Sequence, residues 1–208
     1  MTLLRFLDVA GVAVFAISGA LAAMRKRLDP IGILVIATVT ATGGGTLRDL
    51  LIDRQPFWVT DPTYLAVIIA SAIVTIIYVR FGSPPDRGLS IADAMGLGLF
   101  TISGAKIAEQ SQLAGLIVVV MGTITGIFGG IIRDVLCAEV PMVFRKNTLY
   151  ATAAMIGASI YVLMPAQIMD RNSAATIAIA VIIGIRLAAI YWGITLPVFP
   201  VDQSGEGK

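Results

Sequence analysis

The chain has 208 residues, of which 57% are hydrophobic and only 13% charged, with a mean hydropathy of +0.91; a soluble domain carries roughly twice that charge. At about 20 apolar residues per bilayer crossing, six or seven membrane spans consume most of the chain and leave no room for a separate soluble domain. A formal net charge of +2 gives no footing for nucleic-acid binding, the absence of histidine removes the commonest proton shuttle, and a single cysteine, Cys137, builds neither an internal disulfide nor a thiolate metal cluster.

Apolar runs separated by charged, Gly or Pro punctuation predict seven spans, at 3–24, 30–52, 62–80, 90–108, 113–137, 148–165 and 174–196. Arg25-Lys26-Arg27 and Asp29-Pro30 end the first span and start the second, and Gly82-Ser83-Pro84-Pro85-Asp86 cannot continue a helix. The first span carries Asp8, lacks a small-residue cleavage site and reads as a membrane helix rather than a cleaved signal. The stretch 197–208 is expected to be a disordered tail. With seven spans, Arg25, Lys26, Arg27, Arg80, Arg87, Arg145, Lys146 and Lys208 share one side, against Arg5, Arg54, Lys106 and Arg171 on the other. The excess of cations faces the cytoplasm, so the N-terminus is expected outside and the C-terminus inside.

Displacing the chain by 85 residues aligns Asp8 with Asp93, Phe15 with Phe100, and Ile17-Ser18-Gly19-Ala20 with Ile102-Ser103-Gly104-Ala105. The same offset pairs Thr38 and Thr40 with Thr123 and Thr125, Gly44-Gly45 with Gly129-Gly130, Arg48-Asp49 with Arg133-Asp134, and Pro56 with Pro141, for 18 identities over the 49 positions from 8 to 56. Shared apolar composition does not supply matched Asp, Ser, Thr, Arg and Pro, so the chain is read as a duplication. Each copy holds an odd number of spans, which makes the second copy inverted. The expected fold is all-α and integral to the membrane: a three-helix repeat at 3–81, an inverted repeat at 90–165, and a seventh helix at 174–196. In such folds the functional site lies between the repeats, often where helices are interrupted.

The second span contains Gly43-Gly44-Gly45 and the fifth Gly126-Ile127-Phe128-Gly129-Gly130. Adjacent glycines weaken a helix and can free carbonyls to replace part of a cation's hydration shell, although glycine also serves close helix packing in membranes. Matched breaks in inverted repeats favour a pathway. Ser18, Ser103, Thr38, Thr40, Thr42, Thr123 and Thr125 put hydroxyls on the same four spans, where they either line that pathway or bond back to their own helix. Arg48-Asp49 and Arg133-Asp134 follow the glycines. Neighbours in sequence do not face each other on a helix, so the expected ion pairs are Asp8 with Arg48 and Asp93 with Arg133. Lys106 either gates cations or snorkels to the interface. Arg186 reads as an interface residue, and Tyr150 as part of an aromatic belt. No nucleophile, acid–base pair or nucleotide loop is recognisable, so no enzyme is expected.

At GGGTLRD (43–49) and GGIIRD (129–134), repeated across the duplicated units, the sequence resembles the prokaryotic branch of the trimeric intracellular cation (TRIC) channels. The resemblance covers nearly the whole chain. It implies a homotrimer in the inner membrane with one pathway per subunit, lined by the second and fifth helices and conducting K⁺ with some Na⁺, and no cofactor. It places K⁺ against backbone carbonyls near Gly44 and Gly129. Phe128 stands where the first repeat has Gly43, which makes the halves unequal. Animal members carry phosphoinositide-binding lysines after the fifth helix's glycines; here that stretch reads Arg133 to Val140 without lysine, which argues against phosphoinositide binding and leaves membrane lipids as the surroundings. The pattern is shared with bacterial glycine-transporter-like (UPF0126) membrane proteins, so a carrier of glycine or another small amino acid is the alternative.

Overall fold

In the computed structural model the described residues are 3–82, 87–145, 149–165 and 167–195. The expected disordered tail, Lys146 and Lys208 lie outside them, as does the break at 82–86 except for Gly82. The described chain forms α1 (Leu3–Arg25), α2 (Pro30–Leu51), a short α3 (Phe57–Thr60), α4 (Thr63–Phe81), α5 (Gly88–Gln110), α6 (Gly115–Leu136), a 3-10 turn (Met142–Phe144), α7 (Ala151–Leu163) and α8 (Arg171–Trp192). Six of these helices, α1, α2, α4, α5, α6 and α8, are long and apolar enough to cross a membrane. The sixth expected span is shorter: 13 residues in α7 reach only about 20 Å at 1.5 Å per residue, against about 30 Å of hydrocarbon.

Local chemistry sets the helix ends. Asp29 accepts the Gly32 N–H at 2.7 Å ahead of Pro30, and Asp170 accepts the N–H groups of Asn172 and Ser173 at the start of α8. Left-handed residues close turns at Arg27 and Gln112, and again at Asp53 and Ala138, two pairs that each differ by the 85-residue offset. The duplication therefore extends to backbone conformation at positions where the side chains differ.

Helices α1, α2, α5 and α6 make the core, with α4 packed on α1 and α2, α7 on α5, α6 and α8, and α8 on α5. Contacts between the halves are reciprocal. Gly11 packs on the Phe100 ring and Gly96 on the Phe15 ring, while Phe15 and Phe100, counterparts of each other, stack with centroids 5.3 Å apart. Within each half, Gly19 faces Thr40 and Gly104 faces Thr125. A residue stacked on its own counterpart marks a local two-fold relation, and the pairings of Asp8 with Ser103 and of Gly96 with Phe15 set α1 and α5 antiparallel.

The glycine segments do not interrupt their helices. α2 runs unbroken through Gly43-Gly44-Gly45 and α6 through Gly129-Gly130. A methyl group on Gly44 would collide with the Thr125 carbonyl oxygen, and one on Gly129 with the Thr40 carbonyl oxygen. The glycines thus let α2 and α6 cross backbone to backbone. The helical hydrogen bonds persist because the opposing chain, rather than water, fills the space that the missing side chains leave.

Candidate functional site

The end of the bundle holding the start of α1 is termed the upper end and the opposite one the lower. Each carries the same four residues, two aspartates, an arginine and a serine. The upper set is Asp8 on α1, Arg48 and Asp49 on α2, and Ser103 on α5; displaced by 85, the lower set is Asp93 on α5, Arg133 and Asp134 on α6, and Ser18 on α1. All eight are buried. The second aspartate of each motif ties helix to loop: Asp49 Oδ2 accepts the Phe57 N–H at 2.9 Å, and Asp134 Oδ2 accepts the Met142 N–H at 2.8 Å.

The two sets differ in how the arginine is held. Arg133 Nη1 donates to Asp93 Oδ1 at 2.7 Å and to Ser18 Oγ at 2.6 Å, and its other side pairs with Asp134. The expected Asp93–Arg133 ion pair is therefore present. The expected Asp8–Arg48 pair is not: Arg48 Nε and Nη2 both reach Asp49 Oδ1 at 2.8 Å, and Asp8 instead accepts the hydroxyl of Ser103. Neighbouring side chains do meet here, in both sets, because arginine is long enough to fold back onto a carboxylate already fixed by the loop.

The inequality has a structural cause. At the lower end Gly130 leaves room for the Tyr150 hydroxyl, which donates to Asp93 Oδ1 at 3.1 Å, and Arg186 of α8 stands 3.9 Å from Asp93 Oδ2 over the Tyr150 ring. At the upper end Gly45 packs against the Phe57 ring, which lies 5.7 Å from the Arg48 guanidinium carbon. Tyr150 and Arg186 are thus site residues that the sequence reading assigned to the membrane interface. An arginine inside an otherwise apolar span was the signal that it needed a partner.

Six threonine hydroxyls, those of Thr38, Thr40, Thr42, Thr46, Thr123 and Thr125, donate to the carbonyl four residues back on their own helix. Of the expected hydroxyl set, Ser18 and Ser103 are the ones bonded across to the charged groups. Phe128 and Thr38 are half-buried, whereas Thr42 and Thr123 are buried. The buried Lys106 stands apart from both charge sets and donates to Asn172 Oδ1 at 3.0 Å, tying α5 to α8 beside a Glu109–Arg171–Tyr161 cluster.

A cavity of about 520 Å³ opens at the upper end and reaches both Asp8 and Arg48; Arg5, Arg54, Gln55, Phe57, Asp61 and Tyr64 are among its walls. At its rim Arg5 pairs with Asp61 at 3.2 Å, and hydrogen bonding by Thr63 holds the Asp61 carboxyl below the usual carboxylate range. Among the described residues, a cavity at the lower end is smaller, about 140 Å³, and is lined by Ala22, Arg25, Lys26, Leu89, Asp134, Cys137, Glu139 and Arg145; Arg133 and Asp93 are not among its walls. Among the described residues there is no cluster of acidic or thiol side chains able to hold a metal ion.

A duplicated helical unit, six membrane-length helices and a buried charge set at each end of the core define a multi-pass membrane protein. The chain belongs to the family described as "Glycine transporter", whose model matches it twice, over residues 5–80 and 90–166. It is 44% identical over 207 residues to the inner membrane protein YadS of Escherichia coli strain K12, covering 98% of this chain and 100% of that one. A UPF0126 membrane protein of Vibrio cholerae is 42% identical over 97% of this chain and 85% of its own. Among solved structures, the TRIC trimeric intracellular cation channel orthologue from Rhodobacter sphaeroides superposes with a TM-score of 0.87 at 37% identity, covering 93% of this chain and 100% of that one.

Proposed function

We propose that the protein is a cation channel that conducts K⁺ with some Na⁺, assembles as a homotrimer and has one pathway in each subunit. The observation that carries this reading is the end-to-end likeness to a solved TRIC channel at 37% identity. On this reading the seven helices cross the inner membrane as two inverted three-helix repeats plus α8, with the N-terminus outside and the upper end facing out. α7 completes its crossing with the aid of its flanking segments. The pathway follows the core between α1, α2, α5 and α6, from the upper cavity past Asp8 and Ser103 toward Ser18 and Asp93. Thr38, Thr42, Thr123, Phe128 and the glycines at 43–45 and 129–130 flank its middle.

The intact helices change one element of the mechanism. With α2 and α6 in backbone contact at Gly44 and Gly129, ions pass when that crossing parts and the Arg133 cluster opens, so coordination by carbonyls near these glycines belongs to the conducting state. A carrier of a small amino acid is the second reading, favoured by the description of the family model. Purified protein in planar bilayers under a K⁺ gradient separates the two. Unitary currents reversing near the K⁺ potential are expected; saturable uptake of labelled glycine into liposomes without such currents would overturn the channel. Mass measurement in mild detergent is expected to give a trimer.

A further inference from the structure

The duplicated charge sets allow one arginine to report what the other lacks. In the lower set Arg133 Nη1 is saturated by a carboxylate oxygen and a hydroxyl, those of Asp93 and Ser18. In the upper set the equivalent atom, Arg48 Nη1, has no hydrogen-bond partner among the described residues, although Arg48 is only 1% exposed. The counterparts of its missing partners, Asp8 and Ser103, are bonded to each other instead. Arg48 and Asp8 both border the upper cavity, whose walls carry three arginines (Arg5, Arg48, Arg54) against two aspartates (Asp8, Asp61). A buried guanidinium N–H without an acceptor is costly, and a carboxylate oxygen is the acceptor that its counterpart uses.

We propose that the upper cavity binds a small carboxylate, one oxygen of which accepts a hydrogen bond from Arg48 Nη1 as the Asp93 carboxylate does from Arg133. The site does not depend on the channel reading, since binding can be measured whether or not the protein conducts; its amino-acid arm rests on the small-amino-acid carrier reading and deepens it. Two sources share the chemistry. A simple carboxylate uses Arg48 alone and is repelled by Asp8. A zwitterionic amino acid sets its ammonium toward Asp8 across the same cavity.

The test is calorimetric titration of the full-length protein in detergent, in chloride buffer at constant ionic strength, with acetate and with glycine as separate probes and methylammonium as the cation-only control. Saturable binding of acetate or glycine is expected, weakened about tenfold or more in Arg48→Gln, the scale of one charge-assisted hydrogen bond. Arg80→Gln, which removes the same charge from the end of α4, leaves it unchanged. Asp8→Asn keeps Arg48 intact and supplies an independent readout should Arg48→Gln fail to fold. It tightens acetate if a simple carboxylate is the occupant and weakens glycine if the zwitterion is. Absence of saturable binding by both probes overturns the proposal, as does binding that survives Arg48→Gln or that ignores both substitutions.

Discussion

The backbone crossing of α2 and α6 makes a quantitative prediction about Gly44 and Gly129. A Cβ on either residue would lie about an ångström or more inside the 3.4 Å at which ordinary contact begins, and the atom it meets is a main-chain oxygen that no rotamer change can move. Gly44→Ala or Gly129→Ala alone must therefore force the helices apart by about 1 Å along the crossing, an overpacking cost of about 1–3 kcal/mol. The two collisions, Gly44 on Thr125 and Gly129 on Thr40, occur at the same contact. One separation relieves both, so the double variant is expected to cost little more than the worse single one, leaving a coupling of about 1 kcal/mol or more. Gly184→Ala is the control, because nothing lies within 4 Å of its added methyl; it should stabilise α8 by about 0.5–1 kcal/mol through helix propensity. Equilibrium unfolding in mixed micelles measures all four variants. Strict additivity, or single variants as stable as the parent, would show that α2 and α6 do not touch at these glycines.

Three further outcomes follow from particular contacts. Asp93→Asn removes the carboxylate shared by Arg133, Tyr150 and Arg186 and should cost about 3 kcal/mol, whereas Asp8→Asn keeps a hydrogen-bond acceptor for Ser103 and should cost about 1 kcal/mol or less; micelle unfolding compares them. Ala138, with φ of 52°, pays for a left-handed backbone without glycine's freedom, so Ala138→Gly should raise stability by about 0.5–1 kcal/mol in the same assay. The Lys26 hydrogen bond, at 2.5 Å, holds the Glu139 carboxyl below the usual glutamate range. That bridge is then at full strength above the unfolded glutamate value of about 4.3 and is lost as pH falls through the lower folded value. The melting-temperature difference between the parent and Lys26→Gln should accordingly shrink as a thermal scan series is taken from neutral pH to about pH 3.

What the sequence made legible was whatever rests on local pattern: membrane-length helices, the punctuation at Asp29-Pro30, and the 85-residue repeat, visible because polar residues recur at a single offset. What misled was context supplied from elsewhere in the chain. Three successive glycines read as a weakened helix until the partner backbone is seen to fill the space beside them. Arg48 and Asp49 read as divergent neighbours because the N–H that fixes Asp49 belongs to Phe57, eight residues on, beyond a turn whose course the pattern does not give. An apolar run from 148 to 165 likewise does not disclose that its helix starts only at Ala151 and ends at Leu163.

The inequality of the two charge sets has its origin outside the matched residues. Asp8 and Asp93, Ser18 and Ser103, and Arg48 and Arg133 are identical in type, so a pure two-fold pair would hold both arginines alike. Tyr150 falls at the offset position of Leu65, which has no hydroxyl to donate, and Arg186 belongs to α8, which neither repeat contains. Both additions converge on Asp93. Asp93 holds Arg133 and Tyr150 on one oxygen, while Asp8, whose hydrogen-bond partner among the described residues is Ser103, leaves Arg48 to its neighbour Asp49 with Nη1 of that arginine unpartnered. One substituted position and one added helix thus give Asp93 contacts that Asp8 lacks, and they leave Asp8 and Arg48, rather than Asp93 and Arg133, on the wall of a cavity.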